Sequence, residues 1–239
     1  MNHWRKQERQ RERSAARNNL LYSRWRNFIV SDSYEPGSVF KIITAAAALE
    51  ENAVNLDEAI CTCTGKIRVS DRIIKCHKRD GHGTQTLKQG LMNSCNPVFI
   101  QTGLKIGTST FYKYLRSFGL MERTGIDLPS ESGSNFHQEE KVGPVELATL
   151  AFGQRFEITP LQLITSISAI ANEGKLMKPY IVKEIQDSKG NVVEKTQPTV
   201  VRQVISKKTS DKMLDMMESV VSIGTGKNAQ VAGFKVGGK

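Results

Sequence analysis

Apolar residues recur along most of the chain with a helical period, and two stretches of strand-like alternation interrupt them. Pro36-Gly37-Ser38 opens a helix that runs through Ala45–Ala48 to about Glu51, built from the strong helix formers Ala and Leu. Residues 60–76 suit a hairpin, because Lys66-Ile67-Arg68-Val69 and Arg72-Ile73-Ile74-Lys75 alternate around the polar Ser70-Asp71. Gly81-His82-Gly83 reads as a loop, Thr86 as the cap of a short helix, and Asn96-Pro97 as the start of another. Thr108 or Ser109 caps a helix that ends before Gly119, and residues 123–145 make a surface loop. Thr159-Pro160 then begins a helix with Leu161, Ile164, Ile167 or Ser168, and Ala171 on one face, ended by Gly174. A second hairpin is expected over residues 180–195, turning at Ser188-Lys189-Gly190-Asn191. Ser206 or Thr209 caps the last helix, whose buried stripe is Met213, Met217 and Val220. Gly224-Thr225-Gly226 stops it, and Gly233–Val236 reads as a strand.

Composition narrows the class. The chain has 239 residues, 38% of them hydrophobic and 24% charged, which suits one large domain or two small ones and excludes wholesale disorder. Its longest apolar runs, Ile42–Leu49 and Leu161–Ala171, fall short of the roughly 20 residues a membrane span needs. No apolar segment follows the basic N-terminus as it would in a secretory leader. The net charge of +10 is concentrated: residues 1–26 carry eight Lys/Arg against two Glu. A nucleic-acid-binding body would spread its charge across the domain, so no nucleic acid partner is expected. The head itself reads as a solvated helix or a frayed tail.

Candidate chemistry begins at Ser38-Val39-Phe40-Lys41, a Ser-x-x-Lys in which residues one turn apart share a helix face. A serine becomes a useful nucleophile only when a base takes its proton, and a lysine serves as that base only if burial or another cation lowers its pKa. The bare motif is weak, since a chain of this Ser and Lys content carries one or two by chance. Its context is stronger. The helix behind Ser38 is unusually apolar, so Lys41 should be buried, and the helix start offers backbone N–H groups to an oxyanion. Fifty-six residues on (94 − 38) stands Ser94-Cys95-Asn96, a Ser-x-Asn that either relays a proton and binds a carbonyl or merely caps the helix beginning at Pro97.

In combination these residues resemble the penicillin-binding proteins, the serine D,D-transpeptidases of peptidoglycan synthesis, whose signature is Ser-x-x-Lys, a Ser-x-Asn type triad and Lys-Thr-Gly. The likeness extends over Tyr34-Glu35-Pro36-Gly37-Ser38-Val39-Phe40-Lys41, Asn93-Ser94-Cys95-Asn96-Pro97-Val98-Phe99, Phe152-Gly153-Gln154, Ile158-Thr159-Pro160-Leu161-Gln162 and Gly224-Thr225-Gly226-Lys227-Asn228-Ala229. It is similar to the class B type, nearest to the sporulation-specific stage V branch, and covers about Arg24 to Lys239. The resemblance implies an α/β (α+β) transpeptidase fold like that of serine β-lactamases, mostly its helical part, with much of the central antiparallel sheet missing. It divides the chain into an unmatched basic segment, residues 1–23, and an incomplete transpeptidase domain, residues 24–239, that ends at the third motif.

By the same resemblance Ser38 is the acylated nucleophile, Lys41 its proton acceptor, and Ser94 the relay to the leaving D-alanine. Asn96 and Lys239 bind substrate. No cofactor is implied. The implied partners are peptidoglycan stem peptides, β-lactams as inhibitors, and membrane proteins of cell-wall synthesis. The implied location is the outer face of the plasma membrane, with the anchor absent from this chain. A serine β-lactamase or D,D-carboxypeptidase and a non-catalytic penicillin-binding remnant are the alternatives. Because the chain stops at Lys239, it is expected to be a fragment with little activity of its own. Lys239 should fray and do little to Lys41, and the Ser38 helix should lack a face to pack against.

The four cysteines are too few for a disulfide-built scaffold. Cys61-x-Cys63, Cys76-His77 and His82 could be written as a zinc site, but the spacing resembles no familiar zinc module, and no metal is assigned. Cys95 lies inside the Ser-x-Asn motif and Cys76 ends the hairpin before it. These two form a possible redox pair, since the family works where thiols oxidise, and a disulfide between them would displace Ser94 and Asn96.

Overall fold

The computed structural model describes residues 2–239, and their side chains except those of residues 2–6, 9, 10 and 25. The basic head is a helix, α1 (Asn2–Trp25), followed by the short α2 (Phe28–Ser31). A 3-10 turn (Gly37–Phe40) leads into α3 (Lys41–Glu50). Four short strands come next: β1 (Ala59–Cys63), β2 (Lys66–Val69), β3 (Arg72–Lys75) and β4 (Gly83–Thr86). Then follow α4 (Leu87–Met92), α5 (Asn96–Ile106), α6 (Thr108–Ser117), α7 (Pro144–Leu150) and α8 (Pro160–Ala171). Strands β5 (Lys175–Met177), β6 (Glu184–Gln186), β7 (Val192–Lys195) and β8 (Val200–Gln203) precede the last helix, α9 (Lys207–Ser222).

Helix α3 is the centre. Every residue from Lys41 to Leu49 is buried, as befits a helix that is apolar all round. Helices α4, α5, α6, α8 and α9 all pack against it, so the expectation that it lacks a packing face is overturned. The Thr44 hydroxyl donates to the Ala151 carbonyl (2.8 Å) and ties α3 to the end of α7. Gly103 of α5 lets α7 approach: a Cβ there would meet the Ala151 Cβ at 2.5 Å.

All described strands pair as two-stranded antiparallel sheets, β1 with β4, β2 with β3, β5 with β8 and β6 with β7. Both expected hairpins form, β2–β3 in the register Lys66↔Lys75 and β6–β7 in the register Glu184↔Lys195. The expected caps hold at Thr86 and Ser206, whose side chains accept from Gln89 and Thr209, and Thr159, expected only to begin its helix, also caps it by accepting from Gln162.

Three local expectations fail. Gly107, with φ +79°, caps α6 in place of Thr108 or Ser109, because the chain must turn there directly out of α5. Residues 233–236 form no strand: Gly233 takes φ +81° in a turn, and no strand pairs with the segment among the described residues. Helix α8 buries Gln162, Leu163, Ser166, Ala169 and Ile170, while Ile164 is 56% exposed. The polar members of that face are satisfied, since Gln162 donates to Leu120 and Glu122 and Ser166 donates to Phe118.

Candidate active site

The backbone first brings Ser38 into position. Tyr34 exchanges backbone hydrogen bonds with Ile158 (3.0 and 3.1 Å), and the Gly37 N–H donates to the Gly153 carbonyl (2.8 Å). Gly153 has φ +89°, and a Cβ there would sit 1.9 Å from the Gly37 oxygen. Only glycine fits this approach. The Arg155 N–H, also at positive φ, donates to the Glu35 carboxylate (2.9 Å). The segment 153–158 thus clamps the residues ahead of Ser38. Ser38 itself is exposed in the 3-10 turn, and in such a turn residues three apart eclipse one another, so Ser38 and Lys41 share a face more closely than in an α-helix.

Lys41 follows with no exposed surface. Its ammonium donates to the Ser94 carbonyl (2.8 Å), the Ser94 hydroxyl (3.2 Å) and the Asn96 amide oxygen (2.7 Å). It also lies 5.5 Å from the centre of the Phe99 ring. Burial, and next the charge of Lys239, push the Lys41 pKa down to about 7. A cap role for Ser94 and Asn96 is not what is seen: Cys95 occupies the N-cap of α5, and no side chain caps that end. Asn96 instead spends its oxygen on Lys41 and its NH2 on the Lys75 carbonyl (3.2 Å). Ser94 takes φ +55°, a conformation costing a non-glycine residue of the order of 1–3 kcal/mol. A cleft of about 460 Å³ is lined in part by Lys75, Cys76 and His77.

Lys239 is half-buried and donates to the Leu91 carbonyl (2.8 Å). It is fixed rather than frayed, and burial pushes its pKa down to about 8. Lys41 thus meets Ser94 and Asn96 directly, and the Lys239 ammonium lies near enough for its charge to act on Lys41. Cys76 and Cys95 are both buried free thiols. They meet in a group with Cys63 and His82 whose sulfur and ring nitrogen atoms all lie within 4.8 Å of one another. Cys61 and His77, named with the zinc spacing, fall outside that group, and Cys95, not named with it, falls inside.

The sequence profile of the penicillin binding protein transpeptidase domain matches residues 5–239. The chain belongs to this family. It is 46% identical to stage V sporulation protein D of Bacillus subtilis over 90% of its own length and 33% of the relative's. It is 33% identical to penicillin-binding protein PbpB of Mycolicibacterium smegmatis over 88% of the chain and 33% of the relative. It therefore spans about a third of these curated relatives. Among solved structures it is similar to the D,D-transpeptidase domain of a peptidoglycan glycosyltransferase from Eggerthella lenta, with a TM-score of 0.85 and 29% identity, covering 90% of this chain and 55% of that one. It is also similar to penicillin-binding protein 3 of Mycobacterium tuberculosis in complex with ampicillin, with a TM-score of 0.78 and 30% identity, covering 86% and 46%. The mixed helix and short-strand architecture is that of the transpeptidase fold. No helix among the described residues is long and apolar enough to cross a membrane.

Proposed function

We propose that this chain carries the acyl-transfer centre of a peptidoglycan D,D-transpeptidase that joins stem peptides in cell-wall synthesis, with the spore cortex as the setting favoured by its likeness to the stage V protein. The Ser38 hydroxyl attacks the carbonyl of the D-Ala-D-Ala amide. Neutral Lys41 takes the hydroxyl proton as the ester bond forms. The amide C–N bond breaks, and Ser94, hydrogen-bonded to Lys41, passes a proton to the departing amine of D-alanine. An amine of a second stem peptide then attacks the ester, restoring the Ser38 hydroxyl and leaving a new amide. Asn96 and Lys239 hold the substrate.

The observation that carries this reading is the Lys41 ammonium: fully buried, bonded to both Ser94 and Asn96, and poised near neutral pH. Burial lowers the pKa of any lysine, and a base works best near the operating pH, so it is the bonds to Ser94 and Asn96 from this buried lysine, three residues after Ser38, that favour a base here. A β-lactamase or carboxypeptidase would also need a group that activates a deacylating water, and nothing beside Ser38 is assigned that role. The likeness to an ampicillin complex supports β-lactams as ligands. Membrane partners and a place on the outer face of the plasma membrane follow only from family membership. Extended peptides are bound along strand edges, and the segment that carries Ser38 joins no sheet among the described residues, only the isolated bridge of Tyr34 to Ile158; on that ground we expect slow acylation.

A fluorescent penicillin tests the assignment. The label should map to Ser38 and vanish in Ser38→Ala. An adduct on Ser94, or label retained in Ser38→Ala, would overturn it.

A further inference from the structure

Cys63 ends β1, Cys76 follows β3, His82 precedes β4 and Cys95 stands at the N-cap of α5. Four elements thus deliver three sulfurs and one imidazole nitrogen to a single point, all within 4.8 Å of one another. The His82 Nδ1 lies 3.7 Å from the Cys63 sulfur and 3.5 Å from the Cys76 sulfur. A tetrahedral Zn²⁺ with Zn–S of about 2.3 Å and Zn–N of about 2.0–2.1 Å sets S···N edges near 3.6 Å and S···S edges near 3.8 Å. These two S···N distances already match, and the widest separation in the group, at most 4.8 Å, closes by about 1 Å. We propose that Cys63, Cys76, His82 and Cys95 form a structural zinc site that ties the β1–β4 and β2–β3 hairpins to the Ser94-Cys95-Asn96 turn.

The surrounding backbone is built for such a site. Gly65 and Gly81 hold φ of +86° and +82°, and a Cβ on either would strike the facing loop, at 1.7 Å from the Arg79 oxygen and 2.1 Å from the Cys63 oxygen. The two loops therefore pack as closely as backbone allows. His82 N–H donates to the Cys63 carbonyl (3.1 Å), Cys76 N–H to the Gly65 carbonyl (2.8 Å) and Cys95 N–H to the Gly90 carbonyl (2.8 Å). The Gln85 side chain donates to the His82 carbonyl (3.0 Å) and accepts from Asn93 (2.7 Å). Hydrogen bonds of this kind around the ligands hold a metal site in shape. The three sulfurs are buried, with exposures of 2%, 4% and 0%. A donor set of three thiolates and one imidazole takes Zn²⁺, or Co²⁺ as its probe, and passes over Mg²⁺ and Ca²⁺. Binding releases three thiol protons and leaves His82 neutral.

The site touches no reacting atom. Its role is positioning: Cys95 is flanked by Ser94 and Asn96, which both bond to Lys41, so a metal that anchors Cys95 anchors the strained Ser94 as well.

The test uses the 239-residue chain, reduced under anaerobic conditions and freed of metal, titrated with Zn²⁺ and in parallel with Co²⁺. We expect one equivalent of zinc to bind, an intense visible Co²⁺ spectrum of tetrahedral form with near-ultraviolet thiolate bands, and a higher thermal midpoint in the zinc-loaded protein. Cys63→Ser and His82→Ala should lose or weaken the spectrum, and Cys61→Ser should keep it. Zinc uptake well below one equivalent by the reduced wild-type chain would overturn the site, as would a weak six-coordinate Co²⁺ spectrum. If a variant fails to fold, the wild-type titration alone decides. None of these readouts depends on acylation, so the proposed function and the metal site fail separately.

Discussion

Lys41 and Ser94, 53 residues apart in the chain, are joined twice: the Lys41 ammonium lies 2.8 Å from the Ser94 carbonyl oxygen and 3.2 Å from its hydroxyl. One bond holds the backbone of the Ser94 turn and the other touches the group proposed to move a proton. The lysine therefore connects the Ser-x-x-Lys helix to the Ser-x-Asn turn both mechanically and chemically.

If Lys41 is the base, Lys41→Ala should slow acylation by a fluorescent penicillin by about 10²–10⁴-fold. Stopped-time labelling read on gels measures it. Acylation within a factor of a few of wild type would assign the base elsewhere.

The pH dependence has a definite sign. The Lys41 pKa falls from 10.5 to about 7 on folding. Between these values the unfolded chain binds a proton that the folded chain has released, so the Lys41 contribution to stability improves as pH rises through that window and is least favourable below about 7. Acylation, which needs neutral Lys41, should rise with pH and level off above about 7. Lys239 adds to the lowering by charge. Lys239→Gln should therefore move the rising limb to higher pH, and an unmoved limb would show that the two ammonium groups do not couple.

Gly153→Ala should both destabilise and impair. The new Cβ meets the Gly37 oxygen at 1.9 Å at a φ of +89°, and a loss of about 2–3 kcal/mol is expected from such strain. Because Gly37 precedes Ser38, acylation at low temperature should fall as well. Denaturant melts and labelling on the same preparation check both.

Thr159→Ala serves as a contrast. Thr159 is buried and caps α8 through Gln162, so its loss should cost about 0.5–2 kcal/mol. Acylation well below the melting temperature should be unchanged, because α8 supplies no group to Lys41 or Ser38.

Cys76 and Cys95 have sulfurs within 4.8 Å, close enough for a two-electron oxidant such as oxidised glutathione to close a disulfide with a small local movement. In metal-free protein that bond should form and lower acylation by shifting Cys95 and, with it, its chain neighbours Ser94 and Asn96. Zinc-loaded protein should resist the same oxidant. Mass spectrometry of alkylated samples beside penicillin labelling reads both, and equal acylation of oxidised and reduced protein would remove the switch.

Local chemistry was enough to specify the hairpins, the caps at Thr86 and Ser206, the helix start at Thr159-Pro160, and the burial of Lys41. Turn residues, capping oxygens and an unbroken apolar run act over a few positions, and their physical effect is complete within them. The family was legible for a related reason: the motifs around Ser38, Ser94 and Gly153 are short backbone devices that the site geometry requires. Helix α8 shows where such reasoning ends. Its apolar stripe pointed to Leu161 and Ile164, yet the buried face carries Gln162 and Ser166, because the carbonyls of Phe118, Leu120 and Glu122 wait there to be paired. Which polar side chain finds a buried acceptor is set by another segment, and no periodicity records it. The same holds for Lys239, anchored by Leu91, and for the meeting of Cys63, Cys76, His82 and Cys95. Their spacing matches no familiar module, since two hairpins and a helix start bring them together, and only the packing of those elements puts three sulfurs and a nitrogen at one point.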